Sequence, residues 1–177
     1  RNYLNLDALL NAQKLISEKR GKTAHDEMLF IITHQVYELW FKQILFEIDS
    51  IFEVFHAKVI DESQVGIAVS RLHRINEIIQ LLIDQIKILE TMTPMDFLEF
   101  RDLLTPASGF QSGQFRQIEN KIGLRNDSRH VYGGKDYKTK VHQDDLNKVL
   151  ESEKSESLFT LIEKWLERTP FLASEDY

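Results

Sequence analysis

The strongest constraint on the fold is an apolar repeat between Asp61 and Glu90. Eight apolar residues recur there at alternating steps of three and four: Val65, Ala68, Leu72, Ile75, Ile79, Leu82, Ile86 and Leu89. This spacing places all eight side chains on one stripe of an α-helix, as a heptad seam suited to packing lengthwise against another helix. The stretch therefore predicts a long helix with a partner along its length.

A second long helix is predicted from about residue 24 to 55. Apolar residues cover most of its circumference between residues 28 and 45, so we expect it to be buried on several sides. Thr93 is expected to cap a shorter helix, with Pro94 in its first turn and Asp96 at the third position. The shorter helices are predicted at Tyr3 to about Glu18, Pro94–Leu104, a segment ending at Ile122 before Gly123, Asp144–Ser152 and Ser155–Arg168.

Composition and pattern together predict an all-α fold. The chain has 7 Gly and 3 Pro in 177 residues, which is a low supply of turn-formers, and it shows no alternating strand pattern and no internal repeat. We therefore expect a single helical domain over residues 1–177, with a bundle-like core. Residues 125–143 are polar and are expected to form a mobile surface loop.

Charge and cysteine content exclude several kinds of function. The chain has 22 Lys and Arg against 28 Asp and Glu, a net charge of -6, and no basic block, so nucleic acid is not an expected partner. No apolar run approaches the about 18 residues needed to span a bilayer, and the start has no signal-peptide pattern. The lack of Cys excludes disulfides, Cys-based metal sites and a thiolate-ligated haem. We expect a cytoplasmic protein with no membrane partner.

His34 is the first candidate for chemistry, because it lies in the most apolar stretch of the chain. Phe30 precedes it by four residues and Tyr37 follows by three, so the three side chains share one helical face. A buried imidazole beside aromatic rings could hydrogen-bond a ligand or bind a metal. The alternative is a core histidine bonded to a backbone carbonyl.

Arg101 is the second candidate. It follows Phe97 by four residues on a largely apolar predicted helix, and a guanidinium there could clamp a carboxylate of a ligand or of a haem propionate through two parallel bonds. The alternative is an internal salt bridge, for instance with Glu90 or Glu99. In the loop that follows, Ser108 could bond a carboxylate, cap the next helix, or do both.

A third pattern is a Glu-x-x-His match at Glu53 and His56. Di-iron helical bundles use two such motifs together with two further Glu residues, all pointing inward. Only one copy is present here, so a di-iron bundle is a weakly supported alternative. No pair of His residues four apart and no phosphate-binding glycine loop accompanies it.

Four groups of motifs resemble the tryptophan 2,3-dioxygenase family, in the family's order. They are HDEMLFIITHQ at 25–35 with YELWFKQ at 37–43, LETMTP at 89–94 with FLEFR at 97–101, PASGFQS at 106–112, and WLERTP at 165–170. The likeness extends from Tyr3 to Pro170, which is nearly the whole chain. It implies an all-α, long-helix bundle of the haem-dependent indole dioxygenase type. Members of this family are homotetramers, dimers of dimers, that bind haem b and convert L-tryptophan and dioxygen to N-formylkynurenine at the start of the kynurenine pathway.

The resemblance also implies roles for the two candidates and their neighbours. His34 matches the distal histidine near the indole N–H, and Phe30 matches an aromatic residue that lines the indole pocket. Arg101 matches the residue that clamps the substrate carboxylate, with Phe97 one turn earlier on the pocket wall. A role for His34 in positioning and hydrogen bonding is expected first, and a general-base role second.

Further matches lie in two other segments. Ser108 and Gly109 match a loop over the haem edge, near a propionate and the substrate. Tyr3 and Leu4 match an amino-terminal segment that reaches into a neighbouring subunit's pocket. Gly113 departs from the family pattern, because a larger apolar residue is usual there.

The iron ligand is the main departure from the family. The family's proximal histidine lies well downstream of the motif ending at Pro170, and none of the six His residues here matches it. A substrate-binding threonine is also expected downstream, and a pocket tyrosine before Arg1. We therefore expect an incomplete part of a larger all-helical subunit that does not by itself ligate haem in the family's way. The alternative is a non-catalytic helical oligomer or fragment without haem.

Overall fold

A computed structural model describes residues 1–105, 111–124, 138 and 141–168, apart from the side chain of Glu62. This part of the chain contains helices, turns and irregular segments but no strand, which confirms the predicted all-α fold. The α-helices are α1 (Leu6–Leu10), α2 (Glu27–His56), α3 (Glu62–Leu89), α4 (Pro94–Leu98), α5 (Gly113–Ile122), α6 (Gln143–Lys154) and α7 (Leu158–Glu167). Within this part of the chain, short 3₁₀ helices lie at Ser17–Arg20 and Arg101–Leu104.

The chain divides into two compact units. The first unit comprises Arg1–Leu39 and Gln80–Ser108, and the second comprises Trp40–Ile79 and Gly109–Tyr177. Helices α2 and α3 contribute residues to both. None of the helices described is long and apolar enough to cross a membrane. The expectation of a single domain stays a prediction.

The two long helices match their predicted bounds closely. Helix α2 begins three residues after the predicted start at residue 24, and α3 lies one residue inside each predicted end. The predicted cap of α4 is confirmed: Thr93 Oγ1 accepts from the Asp96 N–H at 3.3 Å, and the Asp96 carboxylate accepts from the Thr93 N–H at 3.0 Å. Pro94 occupies the first position of the helix, where a missing N–H costs nothing.

The predicted seam of α3 consists of two rows of residues spaced seven apart, and only one of these rows is buried. Ala68, Ile75 and Leu82 are buried, whereas Ile79 and Ile86 are exposed by 39% and 47%. Ile78 is buried where the prediction placed Ile79. Residues 78 and 79 are both isoleucine, so the apolar spacing alone could not show which of them lies on the buried face.

The predicted helix from Tyr3 to Glu18 is wrong over most of its length. Only Leu6–Leu10 is α-helical, and the chain then runs irregularly to the 3₁₀ helix at Ser17–Arg20. The reason lies outside the segment, because the Glu27 carboxylate accepts the backbone N–H groups of Ile16 and Ser17. Those two donors are thereby satisfied without a continuous helix.

The predicted helix Pro94–Leu104 is interrupted at its middle. Helix α4 ends at Leu98, and Phe100 takes a non-helical φ of -128° with its side chain completely buried. The chain resumes as the 3₁₀ helix that begins at Arg101. Burial of the Phe100 ring accompanies the break, so tertiary packing decides the backbone here rather than local propensity.

In the second unit, α5 packs closely on α6. Gly113 lies where an added Cβ would come 2.4 Å from the Cβ of Asp145, and the buried Asn120 donates from Nδ2 to the Val149 carbonyl at 3.1 Å and to Ser152 Oγ at 2.8 Å. The N-cap of α5 is Ser112, which accepts from the N–H of the residue three positions on, and the suggested cap Ser108 lies outside the described residues.

The ends of the carboxy-terminal helices agree with the sequence pattern. Gly123 ends α5 in the left-handed conformation, with φ of 103°, as its position after the last periodic residue predicts. Helix α6 is longer than predicted, and α7 begins at Leu158 behind the N-cap Ser157. Most of the loop predicted at 125–143 lies outside the described residues.

Candidate functional site

Three phenylalanine rings in the first unit form an aromatic cluster. The ring of Phe30 on α2 lies 6.1 Å from that of Phe97 and 5.6 Å from that of Phe100, and the latter two rings lie 5.4 Å apart, centroid to centroid. Phe100 is completely buried and Phe30 and Phe97 are half-buried. These separations are typical of edge-to-face and tilted aromatic pairs. The cluster therefore presents an apolar aromatic surface whose base, the Phe100 ring, is fully buried.

His34 lies at the edge of this cluster. Its imidazole stacks on the ring of Phe30, with centroids 4.0 Å apart, and its Nδ1 lies 2.7 Å from the carbonyl oxygen of the same residue. A carbonyl can only accept, so Nδ1 carries the proton of this hydrogen bond. In the neutral imidazole Nε2 is then an acceptor. The bond to a backbone carbonyl agrees with the alternative prediction for His34, but the ring is exposed and is not a core side chain.

Arg101 lies at another edge of the cluster. Its Cζ lies 5.5 Å from the centroid of the Phe97 ring, a cation–π contact, and its side chain is exposed. In the part of the chain that the structure describes, Arg101 forms no ion pair with Glu90 or Glu99, and Glu99 instead pairs with Lys22 at 3.3 Å. Among the described residues, the guanidinium therefore contacts an aromatic face and not a carboxylate.

The remaining predicted site residues are distributed differently. Tyr3 and Leu4 lie near the start of the chain and are 97% and 61% exposed. Ser108 and Gly109 lie outside the described residues. Thus the structure brings His34 to Phe30 and Arg101 to Phe97 within one cluster, and it does not bring the amino-terminal pair into that cluster through any contact that it describes.

Tyr37 joins the two long helices within the first unit. Its hydroxyl donates to the Leu82 carbonyl oxygen on α3 at 2.5 Å. Burial raises the pKa of the Tyr37 hydroxyl above its ordinary value, so it remains a proton donor at neutral pH. This bond fixes α2 to α3 one turn beyond His34.

Glu27 was missed at the sequence level. Its side chain is only 1% exposed, and its two oxygens accept the N–H groups of Ile16 at 2.7 Å and Ser17 at 3.0 Å. Burial raises the pKa of Glu27, but hydrogen bonds from the Ser17 hydroxyl and these two N–H groups outweigh it and leave the pKa below its ordinary value. The only sequence signal is an acidic residue at the start of an apolar helix, which usually indicates no more than a favourable helix dipole.

The Glu-x-x-His pattern does not gather ligands in the described structure. His56 Nε2 lies 3.9 Å from a carboxylate oxygen of Glu156, and Glu53 is exposed. Within the described ranges, no group of three or more His, Cys, Asp or Glu residues is placed so that it could hold a metal ion. His56 is better described as part of a surface charge cluster with Glu156 and Lys164.

Comparison with known proteins gives one consistent result. The tryptophan 2,3-dioxygenase family matches residues 1–177. The tryptophan 2,3-dioxygenase of Bdellovibrio bacteriovorus is 52% identical over 176 residues, and that of Xenopus laevis is 52% identical over 177. Tryptophan 2,3-dioxygenase B of Danio rerio is 51% identical over 177 residues.

The coverage of these matches is unequal. Each spans 99% of this chain but only 49%, 44% and 44% of the three relatives, respectively. The chain therefore spans about half the length of the curated relatives that it matches. Since the family match covers every residue and the identity to full-length relatives exceeds half, this chain belongs to the tryptophan 2,3-dioxygenase family.

Proposed function

We propose that this chain is part of a larger subunit, a haem-dependent dioxygenase that converts L-tryptophan and dioxygen to N-formylkynurenine. In this proposal the chain supplies the substrate side of the active site. The observation that carries the proposal is the pair of contacts on one aromatic cluster: His34 stacks on Phe30 at 4.0 Å, and Arg101 lies over Phe97 at 5.5 Å. An acceptor and a cation thus flank one apolar surface.

The indole ring sets the first requirement of such a site. Indole is apolar and carries one N–H donor, so it needs aromatic walls and one acceptor. Phe30 and Phe97 supply walls, and Nε2 of neutral His34 supplies the acceptor because Nδ1 is already bonded to the Phe30 carbonyl. We assign His34 the role of holding and orienting the indole N–H, with a general-base role as the alternative.

The amino acid's carboxylate sets the second requirement. A guanidinium binds a carboxylate through two parallel hydrogen bonds, and its planar fork fixes the orientation of the partner. Arg101 is exposed, and its Cζ lies 5.5 Å from the centroid of the Phe97 ring, so its guanidinium is accessible to such a partner at the edge of the cluster. Together with His34 it would hold tryptophan at both ends.

Haem b is the cofactor that we propose for the complete subunit. When bound, haem supplies the activation of dioxygen, and the protein orients the substrate and excludes water. The side chains present fit the substrate side of such a cofactor, since the phenylalanine cluster is apolar and His34 has a nitrogen at its edge. They do not supply an evident iron ligand in the described ranges: His56 and His73 lie beside glutamates, and His142 caps α6.

Two further roles rest on the family resemblance. Ser108 and Gly109 are proposed to lie at the haem edge, near a propionate. Tyr3 and Leu4 are proposed to reach into a neighbouring subunit's pocket in a homotetramer, a dimer of dimers. Support for the second role is the high exposure of both apolar side chains, 97% and 61%, which a partner surface would cover. A cytoplasmic location is proposed with the same function.

The proposal is tested by substrate binding to the full-length, haem-loaded protein. We expect L-tryptophan to shift the Soret band in a saturable way, because the substrate lies against the haem. Tryptamine, which lacks the carboxylate, should require a much higher concentration for the same shift. A Soret band that does not respond to saturating tryptophan would contradict the assignment of the pocket.

A non-catalytic helical assembly is the second candidate function. The exposure of Ile79 and Ile86 on the predicted seam of α3 favours it, because an uncovered heptad row can pack against another helix. Full-length protein that takes up no haem but sediments as a stable oligomer would support this candidate over the enzyme.

A further inference from the structure

Glu27 is a buried negative charge with an unusual set of partners. It lies at the first position of α2, and all of its identified donors come from the segment before the helix: the N–H groups of Ile16 and Ser17 and the Ser17 hydroxyl. Burying a carboxylate is unfavourable unless it is hydrogen-bonded in this way. The geometry therefore fixes the backbone at residues 16 and 17 against the start of α2.

The Ser17 hydroxyl links Glu27 to the far end of a loop. Ser17 Oγ accepts the N–H of Ala24 at 3.1 Å, and both residues are buried. The loop from Ser17 to Ala24 is thus closed at its base by a single serine that Glu27 holds. Gly21, with φ of 81°, makes the turn inside the loop.

The same loop contacts the segment that carries Arg101. Lys22 Nζ lies 3.3 Å from Glu99 Oε1, two residues before Arg101. The pKa of Asp96 lies below its ordinary value, mainly through hydrogen bonds from Thr93, and the nearby charge of His25 also lowers it. Lys22 in the loop therefore lies near the Glu99 carboxylate, and His25, just after the loop, lies near the Asp96 carboxylate. All of these contacts lie within the first unit.

We propose that Glu27 is a positioning residue for the substrate site. Its carboxylate holds the 17–24 loop closed, and the closed loop sets the place of the Arg101 segment relative to the helix that carries Phe30 and His34. Glu27 touches neither substrate nor cofactor. This inference rests on the proposed function, because the site that it positions is the tryptophan site.

The test is Glu27→Gln in the full-length, haem-loaded protein. Glutamine keeps the size of the side chain but places an NH₂ donor against one of the backbone N–H groups, so one bond becomes a repulsion. We expect the amides of Ile16 and Ser17 to lose hydrogen-exchange protection. We expect the Kd of tryptophan, measured by calorimetry, and its KM to rise about tenfold, because small misplacements of binding groups are costly, while kcat changes less than about threefold.

Tryptamine identifies the route of the effect. Because it lacks the carboxylate that Arg101 would hold, its Kd should change less than about twofold on Glu27→Gln, in keeping with an effect confined to the clamp. An equal loss for tryptophan and tryptamine would overturn the proposed route through the Arg101 segment.

Glu47→Gln is the matched control. Glu47 is a buried residue of the same helix, only 3% exposed, and its carboxylate accepts hydrogen bonds from Arg74 and Gln43 in the second unit. This variant should lower thermal stability without changing the Kd of tryptophan. If the Kd of tryptophan rose as much in Glu47→Gln as in Glu27→Gln, the effect would reflect a general loss of stability, and the proposal would be overturned. An unchanged tryptophan Kd in Glu27→Gln despite lost protection at Ile16 and Ser17 would also overturn it.

A second variant, Ser17→Ala, covers the case in which Glu27→Gln does not fold. It leaves the two backbone bonds of Glu27 in place but opens the loop at Ala24, so the tryptophan Kd should rise in the same direction, by about threefold or more. An unchanged Kd would contradict the proposal. Tryptophan binding is measured separately from turnover. If wild-type protein forms no product, the proposed function fails. If wild-type protein is active but the tryptophan Kd of the variants is unchanged, only this inference fails.

Discussion

The imidazole of His34 is held by Phe30 in two ways, through a ring contact at 4.0 Å and through the bond from Nδ1 to the Phe30 carbonyl oxygen at 2.7 Å. Both contacts come from the preceding turn of the same helix, so the ring is oriented without help from another element. The carbonyl also fixes the tautomer, since it can only accept a proton. A neutral His34 therefore presents Nε2 as an acceptor.

Replacement of His34 by Ala should lower tryptophan turnover without abolishing it. The variant loses one hydrogen bond to the indole N–H, which corresponds to about 1–3 kcal/mol in kcat/KM. The measurement is steady-state turnover by full-length, haem-loaded protein, with 1-methyltryptophan as the control because it has no indole N–H. Complete loss of turnover at full haem content would contradict a positioning role and favour a general base.

Arg101→Leu should weaken the use of tryptophan by about 2–5 kcal/mol in kcat/KM, as when one partner of a charge pair is removed. The reason is that the substrate carboxylate would be left without its cation. Tryptamine lacks that group, and its binding should be nearly unchanged by the substitution. If tryptamine lost as much as tryptophan, Arg101 would not be the carboxylate clamp.

Gly113→Ala should destabilise the second unit by about 1–3 kcal/mol, because overpacking forces neighbours to move. The added Cβ would lie 2.4 Å from the Cβ and 2.8 Å from the Cγ of Asp145. Gly66→Ala on α3 is the matched control: it meets nothing within 4 Å and should stabilise by about 0.5–1 kcal/mol through helix propensity. Urea denaturation measures both, and equal effects of the two substitutions would contradict the close packing of α5 on α6.

The bonds of Glu27 predict a specific response to acid. Because its pKa in the folded protein lies below the ordinary 4.5, the carboxylate contributes stability that is fully present above pH 4.5. That contribution is lost as the pH falls through the folded pKa. Glu27→Gln should therefore be less stable than wild type at pH 7, and the difference should shrink below pH 4.5. If the difference in urea midpoint between wild type and Glu27→Gln did not depend on pH, the charged form of the Glu27 carboxylate would not be what stabilises the fold.

The fold was predictable from the sequence where the helices are long. Apolar spacing over many turns located α2 and α3 to within three residues at each end, because a long periodic signal averages out local exceptions. Two of the shorter predicted helices, Tyr3 to Glu18 and Pro94–Leu104, were wrong over part of their length because tertiary contacts override the local pattern. The region before Ser17 is bonded to Glu27 instead of to itself, and the burial of Phe100 interrupts the helix before Arg101.

The candidate site was predictable in part. Helical spacing correctly paired His34 with Phe30, because residues four apart on α2 meet on one helical face. Arg101 also contacts Phe97, as the spacing suggested, although the helix is interrupted between these two residues. Spacing could not show that both polar side chains would be exposed, since that depends on which surfaces other segments cover. It also missed Glu27, whose partners are 10 and 11 residues earlier in the chain and satisfy it only after folding.

Turnover by the full-length protein tests the central claim most directly. The protein, loaded with haem b and reduced, is mixed with L-tryptophan in oxygenated buffer, and the product is identified by absorbance and mass. The account predicts N-formylkynurenine, one mole for each mole of dioxygen consumed, with both new oxygen atoms derived from dioxygen. Absence of that product from fully haem-loaded, reduced protein would contradict the assignment of this chain's aromatic cluster, His34 and Arg101 to a tryptophan site.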